Sequence, residues 1–251
     1  MNLGLDGKVA LVTGSSRGIG RGIAEVLHRE GACLGLNGRY ADSLANLEVE
    51  FGSRCSSHVA DVTRPEDCRA LVDSVVARWG RLDVLVCNVG GGTSMSPGRE
   101  SAVEWHRVLT LNLLTATNMV EAARPALQTH AGVVICISSI CGLRSLGAPI
   151  AYSGAKAAMN AYVRGMARPL ADDGIRIVAV APGNIYFVGG TWDRKLREDR
   201  AAVTTMIEQQ VALKRLGTPH EIANLVAFLA SPQAAFITGT VIVADGGQIC
   251  Y

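Results

Sequence analysis

Thr13-Gly14-Ser15-Ser16-Arg17-Gly18-Ile19-Gly20 joins a short apolar run to a segment with helical spacing. The run Lys8–Thr13 is typical of a buried parallel strand, and residues 18–30 place apolar side chains on one helical face. Glycines in such a turn let the backbone approach a ligand, and the free N–H groups of the following helix attract phosphate. This stretch therefore predicts a βα unit that binds a pyrophosphate. Its G-x-x-x-G-x-G spacing differs from the more familiar G-x-G-x-x-G.

Apolar runs and helical segments continue to alternate along the chain. Strands are predicted at 33–36, 57–60, 84–87, 133–137, 176–181 and 239–244, and helices from 43 and over 65–79, 103–127, 152–170 and 221–229. This alternation favours a parallel sheet covered by helices on both faces. No linker divides the chain. We therefore expect an α/β fold, a single doubly wound Rossmann domain over residues 1–251.

Residues 187–210 break the alternation with Gly189-Gly190-Thr191, Trp192 and a dense run of charges. One interpretation is a mobile substrate lid at about 187–210. The alternative is a helical excursion in solvent, because charge runs usually face water.

Composition excludes several classes of protein. The net charge of +2 comes from 24 basic and 22 acidic residues without a basic stripe, so no nucleic-acid partner is expected. No stretch reaches the roughly 18 apolar residues of a membrane span, and no signal peptide is evident, so we expect a soluble, cytoplasmic protein. The seven cysteines show neither a C-x-x-C pair nor a metal-ligand rhythm with the histidines, which predicts reduced thiols and no metal.

The residues after the second predicted strand bear on the choice of cofactor. An acidic residue there would accept hydrogen bonds from the ribose 2′-hydroxyl of NAD, but the chain has Asn37-Gly38-Arg39. The Arg39 guanidinium suits a phosphate, and Arg17 could add charge from the glycine turn. NADP(H) is thus favoured over NAD(H). The alternative is that Arg39 is a solvated loop residue.

Other loops follow predicted strands at the same sheet edge. Asp61 could meet the adenine or cap the helix that begins at Pro65. Asn88-Val89-Gly90 could let the adenosine lie close to backbone, although a turn that only ends a strand needs the same residues. Pro182-Gly183-Asn184 follows the sixth strand. Ligands bind at this edge in doubly wound sheets.

Tyr152-Ser153-Gly154-Ala155-Lys156 places a phenol and an amine four residues apart, on one helical face. A fixed ammonium is expected to lower the phenol pKa from about 10, which makes Tyr152 a candidate proton donor. Ser139 lies 13 residues before Tyr152, and Ser138 is its rival.

These motifs together resemble the short-chain dehydrogenase/reductase family, and the resemblance covers nearly the whole chain. It implies that Tyr152 protonates a carbonyl oxygen that Ser139 holds while hydride arrives from the nicotinamide. It also implies that Lys156 binds the nicotinamide ribose, and that Asn112 positions a water beside Lys156. The predicted cofactor-binding residues are Gly14, Ser16, Arg17, Gly18, Ile19, Gly20, Gly38, Arg39, Asp61, Val62, Asn88, Gly90, Tyr152, Lys156, Pro182, Gly183 and Ile185.

The chain departs from the family pattern at two positions. Val89 replaces a common alanine, which adds bulk near the cofactor. Phe187 stands where many members have a threonine that holds the nicotinamide carboxamide. Thr191 or the backbone of Ile185 could take that role.

The predicted substrate wall includes Arg144, residues 184–186 and Trp192. Four basic residues, Arg144, Arg194, Lys195 and Arg197, would suit an anionic or polyhydroxylated ketone or a carrier-bound acyl group, as in 3-oxoacyl thioester reduction. The alternative is that all four are solvated. A sugar or polyol dehydrogenase is the nearest alternative, and a non-catalytic dinucleotide sensor is the alternative from another class. Small residues on the predicted helix at 152–170, together with the resemblance, lead us to expect a homotetramer or homodimer.

Overall fold

The structure, a computed structural model, describes residues 2–249. Its seven strands form one sheet in the order β3-β2-β1-β4-β5-β6-β7, and every pairing is parallel. The strands are β1 (Val9–Val12), β2 (Cys33–Gly38), β3 (Cys55–Val59), β4 (Val84–Cys87), β5 (Val133–Ile137), β6 (Arg176–Pro182) and β7 (Val241–Ala244). The predicted α/β fold with a doubly wound parallel sheet is confirmed.

Nine α-helices connect and flank these strands within residues 2–249. They are α1 (Gly18–Arg29), α2 (Ala45–Phe51), α3 (Pro65–Trp79), α4 (Ala102–Leu109), α5 (Thr115–Gln128), α6 (Ile150–Ala171), α7 (Thr191–Glu198), α8 (Arg200–Gln210) and α9 (Pro219–Ala230).

Apolar side chains pack on both faces of the sheet. One core lies with α1 and α9, and the other with α3, α5 and α6. Helices α1 and α9 approach closely at Gly22, where a Cβ would stand 2.8 Å from the Cβ of Pro219. Burial on both faces explains why β1, β4 and β5 consist of continuous apolar residues.

The order of the strands determines where a ligand can bind. The chain runs outward from β1 to β3, and then returns to build β4 through β7 on the other side of β1. A crevice therefore opens at the carboxyl ends of β1 and β4, where consecutive loops diverge in opposite directions. Both the glycine turn after β1 and the Asn88 loop after β4 border this crevice.

The predicted continuous helix over 103–127 is wrong in one respect, because a π-helical turn over Thr110–Leu114 separates α4 from α5. Asn112 sits in this turn, fully buried, and its Nδ2 donates to the carbonyl of Val108 at 3.1 Å. A π turn inserts one residue into the helical repeat and redirects side chains, and such turns are frequent at functional sites. Apolar spacing does not encode this insertion.

Residues 187–210 contain two helices, α7 and α8, that meet at Asp199. The Asp199 carboxylate accepts the N–H of Ala202 at 2.9 Å and caps α8. The helical part of the alternative interpretation is therefore correct. None of the described helices is long and apolar enough to cross a bilayer. Six cysteines are free thiols, whereas Cys250 lies outside the described residues.

Candidate active site

A cavity of about 670 Å³ runs along the carboxyl ends of the strands. Most of the predicted site residues line it. They are Gly14, Ser16, Arg17, Ile19, Gly38, Arg39, Asp61, Val62, Asn88, Gly90, Ser139, Tyr152, Lys156, Pro182, Gly183 and Ile185.

Gly18, Gly20 and Asn112 do not border the cavity, and packing explains each case. A Cβ on Gly20 would stand 2.3 Å from the carbonyl oxygen of Gly14, so this glycine permits the close approach of α1 to the turn. The ring of Phe187 covers Gly18, as a Cβ there would stand 2.7 Å from Cζ of Phe187. Asn112 lies behind the glycine loop after β4.

Positive φ angles and hydrogen bonds from Asn88 determine the shape of the glycine turn. Gly14 and Gly18 have φ of +61° and +58°, a region that favours glycine. Asn88 Nδ2 donates to the carbonyls of Thr13 and Gly14, both at 3.0 Å, and Thr13 Oγ1 accepts the N–H of Asn88. The Asn88 side chain thus binds β1 to β4 and shapes the turn.

The residue directly after β2 is a cation, Arg39, and not a carboxylate. The Asn37 amide is committed to the carbonyls of His58 and Ala60, at 3.3 and 3.1 Å. The next residues, Gly38 and Arg39, line the cavity, and Arg39 is exposed. A phosphate near Arg39 would meet a guanidinium that is free of any ion pair among the described residues.

Asp61 shapes the turn that precedes α3 but does not cap that helix. Its Oδ1 accepts hydrogen bonds from the N–H and hydroxyl of Thr63, at 3.1 and 2.8 Å, which shapes the turn before α3. It also lines the cavity beside Val62. The predicted cap of α3 by Asp61 is therefore wrong, because the N-cap residue Arg64 has no side-chain capping bond, whereas contact of Asp61 with the adenine stays a prediction.

Tyr152 and Lys156 both reach the cavity from α6. Burial raises the pKa of the Tyr152 phenol to about 12, and a hydrogen bond with Ser139 opposes only part of that rise. Lys156 is 3% exposed, and its Nζ donates to the carbonyl of Ile137 at 2.8 Å. Burial lowers the pKa of the Lys156 ammonium to about 8.

The expectation that Lys156 lowers the phenol pKa is wrong for this structure. Desolvation disfavours the charged form of each group, so it raises the pKa of the phenol and lowers that of the amine. The consequence still favours proton donation, since Tyr152 keeps its proton at neutral pH.

The two candidate serines point to different partners. Ser138 Oγ donates to Oδ1 of Asn160 at 2.6 Å and is engaged by α6. Ser139 Oγ accepts the N–H of Cys141 at 3.1 Å and interacts with the Tyr152 phenol. Ser139, and not Ser138, therefore places its hydroxyl beside the phenol.

Asn112 and Lys156 meet across Gly90. A Cβ on Gly90 would stand 2.8 Å from Oδ1 of Asn112 and 3.2 Å from Nζ of Lys156. The Asn112 amide accepts the N–H of Gly91 at 2.8 Å and donates to its carbonyl at 3.2 Å. Asn112 thus fixes the glycine loop next to the lysine.

The predicted basic substrate wall is wrong in part. Arg144 does not line the cavity, whereas Trp192 does. Arg197 pairs with the buried Asp193 at 2.8 Å, and the ammonium of Lys195 lies 4.6 Å from the centre of the Trp192 ring. Both cations therefore interact within α7, with partners that lie three or four residues away along the same helix.

Sequence reasoning missed several lining residues, namely Tyr40, Ser43, Thr63, Gly91, Thr93, Arg107 and Leu111. Arg107 donates to Thr93 O at 2.9 Å and to Glu104, which ties α4 to the glycine loop. Leu111 directly precedes Asn112, but the π turn that orients it was not predicted. The length of the glycine run, Gly90-Gly91-Gly92, was the signal that the loop continues along the cavity.

Comparison with known proteins gives consistent matches. A family model described as Enoyl-(Acyl carrier protein) reductase matches residues 14–248. The chain is 34% identical over 248 residues to a 3-oxoacyl-(acyl-carrier-protein) reductase of Vibrio cholerae, and the match covers 98% of this chain and 99% of that protein.

Solved structures are also similar over the full chain. L-Sorbose reductase from Gluconobacter frateurii, complexed with NADPH and L-sorbose, matches with a TM-score of 0.93 and 30% identity and covers 100% of both chains. A 7α-hydroxysteroid dehydrogenase complexed with NADH and 7-oxo glycochenodeoxycholic acid matches with a TM-score of 0.91 and 29% identity over 100% of this chain and 97% of that one.

Proposed function

Because the chain belongs to the short-chain dehydrogenase/reductase family, and is thus a nicotinamide-dependent oxidoreductase of ketones and alcohols, we propose that Tyr152 is its proton donor and NADPH its reductant. The observation that carries this proposal is the meeting of Tyr152, Ser139 and Lys156 in one cavity with the glycine turn.

The residues present fit a dinucleotide. Gly14 lines the cavity without a side chain next to the N-terminus of α1, where backbone N–H groups and the helix dipole favour the negative charge of a pyrophosphate. Ile19 and Ser16 line the same stretch, and Pro182, Gly183 and Ile185 line the opposite side of the cavity. When bound there, the nicotinamide supplies a hydride.

The protein's own groups supply the rest of the reaction. Ser139 Oγ holds the substrate carbonyl oxygen, and Tyr152 transfers its phenolic proton to that oxygen as the carbon receives the hydride. The ketone thereby becomes a secondary alcohol. The Lys156 ammonium stabilises the phenolate that remains. General acid catalysis of this kind contributes about 10²–10⁴-fold.

Preference for NADPH rests on charge at the end of β2. Arg39 and Arg17 line the cavity there, together with the hydroxyl-bearing Ser16 and Ser43. A guanidinium can bind a 2′-phosphate through paired hydrogen bonds, and the residue directly after β2 is Arg39 and not the carboxylate that a 2′-hydroxyl requires at that position.

A 3-oxoacyl thioester is the substrate class that we favour, because a relative so named matches nearly the full chain. A sugar ketone is the second candidate, since the L-sorbose reductase covers the whole chain with a TM-score of 0.93. A non-catalytic sensor would have no use for Ser139, Tyr152 and Lys156 together in one cavity.

Two further features extend the proposal. Phe187, Thr191 and Trp192 line the cavity, so the segment 187–210 would act as a substrate lid over this single domain. Ala157, Ala161 and Gly165 form an exposed stripe of small residues on α6. Edge strand β7 pairs on one side only within residues 2–249, so a second subunit would cover these surfaces in a homodimer or homotetramer.

The substrate proposal is tested with a panel of a 3-oxoacyl thioester, a sugar ketone and a steroid ketone, each with NADPH and NADH. We expect the thioester with NADPH to give the highest kcat/KM. A higher kcat/KM for the sugar would transfer the assignment to sugar reduction, and a preference for NADH would refute the role of Arg39. Light scattering gives the subunit number, and a mass near 26.4 kDa would exclude an oligomer.

A further inference from the structure

Glu100 and Ser101 cap two helices that pack together at Tyr152, namely α6, which carries Tyr152, and α4. Glu100 Oε1 accepts the N–H groups of Ile150 and Ala151 at 2.6 and 3.4 Å, at the start of α6. Ser101 Oγ accepts the N–H of Glu104 at 3.2 Å, at the start of α4. Both helices are therefore anchored to a single point of the chain.

Helix α6 has no cap of its own. Pro149 occupies its N-cap position without a side-chain acceptor, and its first turn contains no acidic residue. The first N–H groups of any helix lack intrahelical partners and require an external acceptor. Glu100 fills this role from 50 residues away along the chain.

The packing between α4 and α6 transmits this contact to Tyr152. Val108, Ala151 and Ala155 are buried in a small cluster, and Tyr152 packs against it. The ring of Trp105 lies against α6 at Gly154, where a Cβ would stand 3.2 Å from Cζ3 of Trp105. A shift of α6 along α4 would therefore move the phenol.

Glu100 also holds the loop that forms the other side of the phenol. Its Oε2 accepts the N–H of Gly98 at 2.8 Å. The same loop begins at Gly92, where a Cβ would stand 3.9 Å from Cζ of Tyr152. The carboxylate thus joins the cavity loop to the first turn of the helix that carries Tyr152.

We propose that Glu100 is a positioning residue that fixes the Tyr152 phenol relative to the substrate oxygen. The inference rests on the proposed role of Tyr152 as proton donor. Small displacements of a reacting group lower turnover strongly, by as much as 10²-fold for about 1 Å. The proposed pyrophosphate and 2′-phosphate contacts lie in the turn after β1 and at the end of β2, which Glu100 does not touch, so kcat falls much more than cofactor affinity.

The test compares Glu100→Ala, Glu100→Gln and Glu100→Asp with a matched control, Glu66→Ala. Glu66 is an exposed carboxylate in the first turn of α3, away from the cavity. We expect Glu100→Ala to lower kcat by about 10-fold or more with an unchanged Kd for NADPH. The amide oxygen of Gln can accept the N–H groups of Ile150 and Ala151, although its NH2 group cannot accept that of Gly98. Because the helix contact is kept, we expect Glu100→Gln to restore kcat to within about threefold, whereas the shorter Asp does not reach α6.

Tyr152→Phe in the same assay separates the two proposals. Activity retained by Tyr152→Phe refutes the proposed function. An inactive Tyr152→Phe together with wild-type kcat in Glu100→Ala refutes the positioning role alone. That role is also refuted if NADPH affinity falls in step with kcat, or if Asp rescues turnover and Gln does not. Should Glu100→Ala fail to fold, the comparison of Gln with Asp decides the question.

Discussion

The ring of Phe187 rests on Gly18, at the start of the helix that follows the glycine turn. A Cβ on Gly18 would stand 2.7 Å from Cζ of Phe187, and a Cβ on Gly190 would stand 2.9 Å from the same atom. The ring is thus held between two glycines. Beside it, the buried Asp193 accepts the N–H of Gly189 at 2.8 Å, which fixes the turn that carries the ring.

This contact predicts a specific effect of Gly18→Ala. The new methyl group would displace Phe187 towards the cavity, so we expect NADPH affinity to fall about 10-fold or more, measured by fluorescence titration. The positive φ of +58° adds a folding cost of about 1–2 kcal/mol. Gly80→Ala is the control, because Gly80 has a φ of +73° and open space around it. Equal NADPH affinity in both variants would contradict the prediction.

A second glycine separates Asn112 from Lys156. Gly90→Ala would place a methyl group 2.8 Å from Oδ1 of Asn112 and 3.2 Å from Nζ of Lys156. We expect kcat to fall about 100-fold, because both groups must shift within a packed interior. In Gly91→Ala the new methyl group has no neighbour within 4 Å, so we expect a much smaller fall of kcat. Steady-state kinetics of the two variants checks this prediction. A similar fall of kcat in both variants would mean that kcat depends on the flexibility of the loop and not on the clash with Asn112 and Lys156.

Arg39 should determine the choice between the two dinucleotides. Hydrogen bonds to charged groups contribute about 1.5–3 kcal/mol, so Arg39→Ala is expected to weaken NADPH binding about 10- to 100-fold. NADH binding should change little, because it lacks the 2′-phosphate. Arg29→Ala, an exposed arginine in the last turn of α1, is the control. The Kd values come from titration calorimetry, and parallel loss of both cofactors would contradict a phosphate contact.

The pH dependence of reduction follows from the two buried groups of α6. Tyr152, with a pKa of about 12, keeps its proton throughout the neutral range. Lys156, with a pKa of about 8, is charged below that pH and loses its charge as pH rises through it. With saturating cofactor, kcat/KM should be flat near pH 6–7 and decline above about pH 8. A rate that stays constant to about pH 10 would show that the Lys156 charge is not required.

Periodicity and turn chemistry predicted the sheet well, because buried parallel strands leave continuous apolar runs. The glycine turn and the loops after β4 and β6 were also placed correctly, since strand ends in a doubly wound sheet share one edge. The proposed catalytic set required the family pattern, because Tyr152 and Ser139 lie on different elements and neither motif implies the other by local geometry.

The remaining features depend on tertiary contacts that no local pattern records. The π turn at Asn112 adds one residue to a helix whose apolar spacing looks continuous. The opposite pKa shifts of Tyr152 and Lys156 arise from burial, which cannot be inferred from their spacing of four residues. The capping of α6 by Glu100 joins residues 50 positions apart.

The central claim is that the Tyr152 phenol delivers the proton that completes carbonyl reduction. The most direct measurement is single-turnover oxidation of bound NADPH by the best ketone in Tyr152→Phe, with the Kd for NADPH determined in parallel. We predict a rate at least about 10²-fold below wild type with a Kd within about threefold of it. A near-wild-type rate of NADPH oxidation in this variant would contradict the claim.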